Sequence, residues 1–154
     1  MRLTHALIVG FAVLVLNSCS SEPTKRYFPP QASLQQLQQL SNGQWQAQVR
    51  LQNFSTGAVE YRNLNLKIQI QDLDLVGITA TETTKIGAGN AEVFTLMVPF
   101  STASQQVLVE RLGKTQSVRY TLSGSVNSID PNRTYTLDYQ GRLNPAPGLQ
   151  GVFR

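Results

Sequence analysis

Beyond residue 33 the chain alternates apolar and polar positions with a period of two, in blocks separated by turn residues. The clearest block sets Trp45, Ala47, Val49 and Leu51 against Gln46, Gln48, Arg50 and Gln52, which predicts a strand with one buried and one wet face. Ser41-Asn42-Gly43-Gln44 precedes it and holds an Asn-Gly pair suited to the positive φ of a hairpin turn. Residues 33–40 are therefore expected to be its partner, although Leu34, Leu37 and Leu40 have a helix-like spacing. A second block puts Leu64, Leu66, Ile68 and Ile70 inward and Asn63, Asn65, Lys67, Gln69 and Gln71 outward. A strand from Ile78 to Thr84 follows, then a Gly87-Ala88-Gly89-Asn90 turn and a strand from Ala91 to Phe100. Pro99 cannot donate to a ladder, which places that end at a sheet edge or just outside the sheet. Val118, Tyr120, Leu122, Gly124 and Val126 alternate next, Asp130-Pro131-Asn132 turns the chain, and Tyr135, Leu137, Tyr139 and Leu143 alternate back.

One stretch departs from period two. Ser101 or Thr102 is an N-cap, Gln105 completes a capping box, and Val107, Leu108 and Leu112 make an apolar stripe ending at Gly113. Six or seven strands with hairpin-length connections and one short helix predict an all-β chain. The expected architecture is an antiparallel β-sandwich of the immunoglobulin or fibronectin type III kind, spanning residues 33–154.

The N-terminus follows different rules. Arg2, an apolar run from Ala6 to Leu16, and Asn17-Ser18-Cys19 make the three-part layout of a secretory signal. Its helix would reach roughly 16 Å, about half a bilayer's hydrocarbon core, so it predicts a processed signal rather than a membrane span. Leu16-Asn17-Ser18-Cys19 resembles the bacterial lipobox. That resemblance implies cleavage between Ser18 and Cys19, removal of residues 1–18, and diacylglycerol on the Cys19 sulfur with an acyl chain, such as palmitate, on its new amino group. Two or three chains at about 0.8 kcal/mol per buried CH₂ anchor a protein stably where one would not. The alternative is an ordinary signal peptide ending near a chance cysteine. Ser20, in place of aspartate, implies sorting to the outer membrane, on its periplasmic side, in a double-membraned bacterium. Residues 19–32 then form the lipidated cysteine and a proline-containing tether, with Lys25 and Arg26 either at anionic headgroups or solvated.

This processing also limits the chemistry. Cys19 is the only cysteine, and His5, the only histidine, falls within the removed segment. From Cys19 onward twelve basic residues face nine acidic ones, a balance too small for a nucleic-acid footprint. Triads built on histidine or thiol, and zinc sites of the Cys/His kind, are excluded from such a chain. Gly87-Ala88-Gly89 lies between strands with no helix to hold a phosphate. Asp72-x-Asp74 is the densest acidic cluster and reads as a solvated turn rather than a calcium loop. Glu110 and Asp138 are arbitrary choices for a glycosidase pair. Trp45, Tyr120, Tyr135 and Tyr139 resemble a sugar platform in type, but they fall on core faces. Asn53 reads as a turn cap. The expectation is a protein that is not an enzyme, needs no cofactor or metal, and meets envelope proteins or glycans through glutamine-rich sheet surface.

The strand order and several motifs resemble the late embryogenesis abundant type 2 domain, also called the water-stress and hypersensitive-response domain. Asn53-Phe54-Ser55 after VRLQ stands where that family has Asn-Pro-Asn, with Phe54 departing from its proline. Gly77, the segment IGAGNAEVFTLMVPF at 86–100, and Tyr120, Leu122 and Gly124 match its other motifs. The likeness spans about residues 32–143. It implies a fibronectin-like sandwich, an association with desiccation or envelope stress, and no catalytic residue. The competing expectation is a structural subunit or assembly factor of a cell-envelope complex.

Overall fold

In a computed structural model, residues 24–154 are described, and the signal, Ser18 and Cys19 lie outside them. The strands are β1 (Gln31–Gln39), β2 (Trp45–Gln52), β3 (Val59–Ile70), β4 (Val76–Ala80), β5 (Thr84–Ile86), β6 (Ala91–Val98), β7 (Val118–Ser128), β8 (Arg133–Leu143) and β9 (Val152–Phe153). One helix, α1 (Thr102–Gly113), joins β6 to β7. One sheet runs β6-β2-β1-β9 and the other β4-β3-β7-β8, with β5 paired to the first part of β3. All pairings are antiparallel. The described residues form an all-β sandwich with one helix. Its core lies between the sheets, where Trp45, Val49, Leu51, Ile68, Leu122 and Leu137 are buried.

Two bulges explain positions where simple alternation misleads. The register of β1 on β2 shifts between Leu34 and Gln36, so Leu34 and Leu37 both face inward despite standing three apart. Their spacing comes from the bulge rather than from a helix. In β3 the shift between Arg62 and Asn65, with Asn63 at φ +52°, moves the inward set from odd positions (Val59, Tyr61) to even ones (Leu64, Leu66). Asn42-Gly43 sits in a three-residue loop: Gly43 N–H bonds the Leu40 carbonyl, and only Gly43 has positive φ, the arrangement of a turn followed by a glycine bulge.

Other boundaries also move. The strand expected over Ile78–Thr84 is two strands, β4 and β5, because the chain breaks from the ladder at residues 81–83. The tether expected to extend to residue 32 docks onto the domain well before that. Arg26 N–H donates to Thr56 Oγ1 at 2.8 Å, Thr56 N–H donates to the Arg26 carbonyl at 3.0 Å, and Phe28 N–H donates to Ser55 Oγ at 3.0 Å. Tyr27 packs on the core and Pro30 is buried. Strand β9 has too few residues for a period to be read. It pairs with β1, and Phe153 stacks on Trp45 with ring centroids 6.4 Å apart.

Helix α1 begins at Ser101, whose Oγ accepts from Ser104 N–H. Gln105 reaches back with its side-chain amide to the Phe100 carbonyl at 2.9 Å. The helix takes in the expected glycine as its last residue and is capped by Lys114. Gln116 N–H bonds the Arg111 carbonyl, Thr115 N–H bonds the Leu112 carbonyl, and Thr115 itself takes φ +53°. That is a Schellman ending with a β-branched residue where glycine is easiest. Thr115→Gly should therefore stabilise the domain by about 0.5–1 kcal/mol, read as a higher urea midpoint with an unchanged circular dichroism spectrum. A lower midpoint would contradict the strain.

Candidate functional site

The C-terminal segment builds the most promising surface. Ala146-Pro147-Gly148-Leu149 is a turn with proline second, glycine third at φ +77°, and Leu149 N–H bonded to the Ala146 carbonyl at 3.1 Å. These are the residues a type II turn requires. The return strand bonds Ala146 N–H to the Val152 carbonyl, and Gln39 N–H takes the Gly151 carbonyl. The segment thus crosses from the end of β8 to the edge of β1. Between it and α1 lies a cleft of about 540 Å³, walled by Val109, Leu112, Pro145, Pro147 and Leu149 with Gln39 at its floor. Val109 and Leu149 remain 44% and 49% exposed. A recess of about 370 Å³ adjoins it along α1, sharing Gln39 and Val109 and adding Gln105, Gln106 and Glu110. None of the side chains lining the larger cleft titrates, so its chemistry is apolar contact plus uncharged hydrogen bonding from main chain and from Gln39, Thr115 and Gln150.

The residues singled out from the sequence fall elsewhere. Asp72 and Asp74 do not converge. Asp72 borders a polar depression with Gln71, Ser117, Arg119 and Arg142, in which the two arginines are cross-strand partners. Asp74 accepts from Ser101 Oγ and, at 2.9 Å, from Ser104 Oγ, tying the β3–β4 connection to the first turn of α1. Those hydrogen bonds, Ser101 first, hold its carboxyl below the usual carboxylate range. A folded-state pKa below the unfolded value means a stabilisation present above about pH 4 and lost as pH falls through the folded value. The melting-temperature gap between wild type and Asp74→Asn should accordingly be open at neutral pH and close under acid. A gap that stayed constant through acid titration would contradict this.

Glu110 bonds Lys114 one turn along α1, while Asp138 lies on β8 opposite Ser123. They do not face each other across a cleft. Trp45 lies against Phe100 edge-on and Phe153 face-on, and Tyr120 packs beside Tyr139. Tyr135 and Tyr139 are partly buried against the core, so all four aromatics are packing residues. Tyr120 also crosses the sandwich: its hydroxyl accepts from Leu34 N–H at 3.1 Å, satisfying backbone freed by the β1 bulge.

Asn53 does more than cap a turn. It is fully buried, and its amide nitrogen lies 2.9–3.1 Å from the carbonyls of Gly57, Ile86 and Gly87. Its Oδ1 accepts from Ser55 N–H at 2.9 Å and from the Tyr61 hydroxyl. Burial, with Tyr135 nearby, pushes the Tyr61 phenol up to about 12.

The glutamines form an ordered array. Gln38 pairs with Gln46, Gln36 with Gln48 and Gln31 with Gln52 across β1 and β2. Arg154 Nε donates to Gln36 Oε1 at 2.8 Å. Among the described residues, no group of three His, Cys, Asp or Glu is placed to hold a metal, and no helix is long and apolar enough to cross a membrane.

No protein-family model matches the chain, and no curated protein matches its sequence. Among solved structures it is similar to that of AT1g01470 from Arabidopsis thaliana, at a TM-score of 0.50 and 11% identity, over 88% of this chain and 94% of that one. The two share a fold. A protein described as late embryogenesis abundant, At2g46140.1, aligns at a TM-score of 0.46 and 11% identity, over 92% of this chain and 85% of that one. Neither similarity covers chemistry. The cleft between α1 and residues 145–151 had no signal in the hydrophobic period, since prolines and glycines carry none. The Pro147-Gly148 pair was the one readable hint, as a turn marker.

Proposed function

We propose that the protein is a lipoprotein of the bacterial cell envelope, anchored through Cys19 to the outer membrane, whose sandwich binds or shields envelope components without catalysis. The observation that carries the binding reading is the cleft beside α1, which is apolar and lined by no titratable side chain. The anchor rests on Leu16-Asn17-Ser18-Cys19. The association with desiccation or envelope stress rests on the motifs at 53–55, 86–100 and 120–124.

A second reading, a subunit or assembly factor of an envelope complex, is favoured by one feature. Edge strand β6 presents Val93 and Met97 exposed, and between Ala91 and Val98 its only charge is Glu92, with no lysine, proline or bulge before Pro99.

The test compares a deletion strain carrying the wild type with the same strain carrying Cys19→Ala. The wild type should label with palmitate, fractionate with the outer membrane and restore survival after drying or osmotic shock, while Cys19→Ala should lose the label and rescue less well. Label retained by Cys19→Ala would overturn the anchor, and survival unaffected by deletion would overturn the stress role. A fixed stoichiometric partner recovered from solubilised membranes would favour the subunit reading.

A further inference from the structure

The exposed apolar residues at one end of the sandwich are contributed by three separate loops. Phe28 stands on the entering chain, Phe54 on the β2–β3 connection and Ile129 on the β7–β8 turn, and they remain 45%, 46% and 38% exposed. Hydrogen bonds hold them in one region: Phe28 N–H to Ser55 Oγ, and Ile129 N–H to the Glu60 carbonyl. Lys25 and Tyr27 border the same depression as Glu60, Lys85 and Asp130. Lys25 and Arg26 line another with Thr56. Large apolar side chains exposed together on a polar protein mark a surface that meets something apolar.

The path of the chain says what that is. Arg26 is pinned to Thr56 by two hydrogen bonds, its N–H to Thr56 Oγ1 and Thr56 N–H to its carbonyl, and seven residue steps separate it from Cys19. At most about 3.6 Å per residue, a lipid on Cys19 lies within roughly 25 Å of this end. The α1 end is about 40 Å farther along the twelve-residue β3. Both signs of charge occur at the near end. Lys85 faces Glu60 across the β3–β5 ladder, and of the others Lys25, Arg26 and Arg133 stand against Glu92 and Asp130. The two cations nearest the anchor, Lys25 and Arg26, follow Glu22 by three and four residues in sequence and are both exposed.

We propose, resting on the lipoprotein reading above, that this end of the sandwich seats on the bilayer surface. Phe28, Phe54 and Ile129 enter the headgroup–acyl boundary, and Lys25 and Arg26 meet anionic headgroups. The lipid and the loops then form one attachment, because the anchor holds the loops at high local concentration against the membrane. The α1 end and its cleft consequently project away from the membrane, open to a partner in the periplasm.

The experiment reconstitutes the full lipidated protein into vesicles of phosphatidylethanolamine and phosphatidylglycerol, with single reporters Phe28→Trp, Phe54→Trp, Val109→Trp and Leu149→Trp. Trp45 is buried and supplies a constant background. Quenching by lipids brominated near the headgroup should be at least about twofold stronger for the reporters at 28 and 54 than for those at 109 and 149, with aqueous iodide giving the reverse order. Equal quenching at both ends, in protein that sediments with the vesicles, overturns the seating and leaves the anchor standing. Protein made with Cys19 that fails to sediment at all overturns the anchor and the seating together. Replacing phosphatidylglycerol by phosphatidylcholine should weaken the lipid quenching at 28, and no change would remove the role given to Lys25 and Arg26.

Discussion

Gly124→Ala is expected to cost more than about 4 kcal/mol, enough to leave little folded protein at ordinary temperature. Gly124 has φ +156° and pairs with Leu66 in the ladder of β3 on β7. A Cβ there would stand 2.0 Å from the Asn65 carbonyl oxygen and 3.0 Å from Leu66 Cα. Both are backbone atoms of the neighbouring strand, so no rotamer change relieves the clash. The central strand pair must separate, at the rungs that follow the β3 bulge. Two other glycines calibrate the expectation. At Gly141 the added Cβ meets the Tyr120 ring at 2.6 Å, and a side chain can shift, at the expense of its hydrogen bond to Leu34. At Gly77 nothing lies within 4 Å. Stability from urea denaturation should therefore fall steeply for Gly124→Ala, less for Gly141→Ala, and by no more than about 0.5 kcal/mol for Gly77→Ala. Equal losses at 124 and 77 would show that the close approach of the strands is not what selects glycine.

That ranking separates two positions the motif resemblance treated alike. Gly77 and Gly124 both entered the resemblance drawn from the sequence motifs, yet only Gly124 is demanded by its surroundings. The sandwich itself was readable because period two survives wherever one face of a sheet is buried, as from Trp45 to Gln52. Reading stopped where long-range structure interrupts the period. The bulges in β1 and β3 depend on the partner strands, so nothing within residues 33–37 or 59–66 announces them. Strand β9 is held by β1, more than a hundred residues away in sequence. The docking of residues 26–28 depends on Ser55 and Thr56, while composition alone suggested an unattached tether. The candidate cleft was hidden for a related reason: it forms only where the C-terminal turn meets α1, and each wall alone reads as an ordinary turn or helix face.

Asn53→Asp is the second large effect, because a single oxygen-for-nitrogen exchange turns a satisfied hub into a repulsive one. The amide nitrogen now sits among three carbonyl oxygens from two loops, 33 and 34 residues apart in sequence from Ile86 and Gly87. A carboxylate in its place has no proton for any of them, is fully buried, and has no cation among its hydrogen-bond partners. Leaving buried acceptors and a charge uncompensated should cost about 3–5 kcal/mol at neutral pH. Asn53→Ala removes the same donors without adding the charge, so it should cost less, about 2–3 kcal/mol. Burial raises the folded-state pKa of the introduced acid above its unfolded value near 4, so the extra penalty of aspartate over alanine appears as pH rises through that range. Below it the aspartic acid is neutral in both states and can donate one proton to a carbonyl. Denaturation at neutral pH and at about pH 3.5 should then show the two variants far apart in the first condition and close together in the second. An aspartate variant no weaker than alanine at neutral pH would mean that the loop carbonyls turn away from position 53, and that the β2–β3 and β5–β6 connections are held together by something other than this side chain.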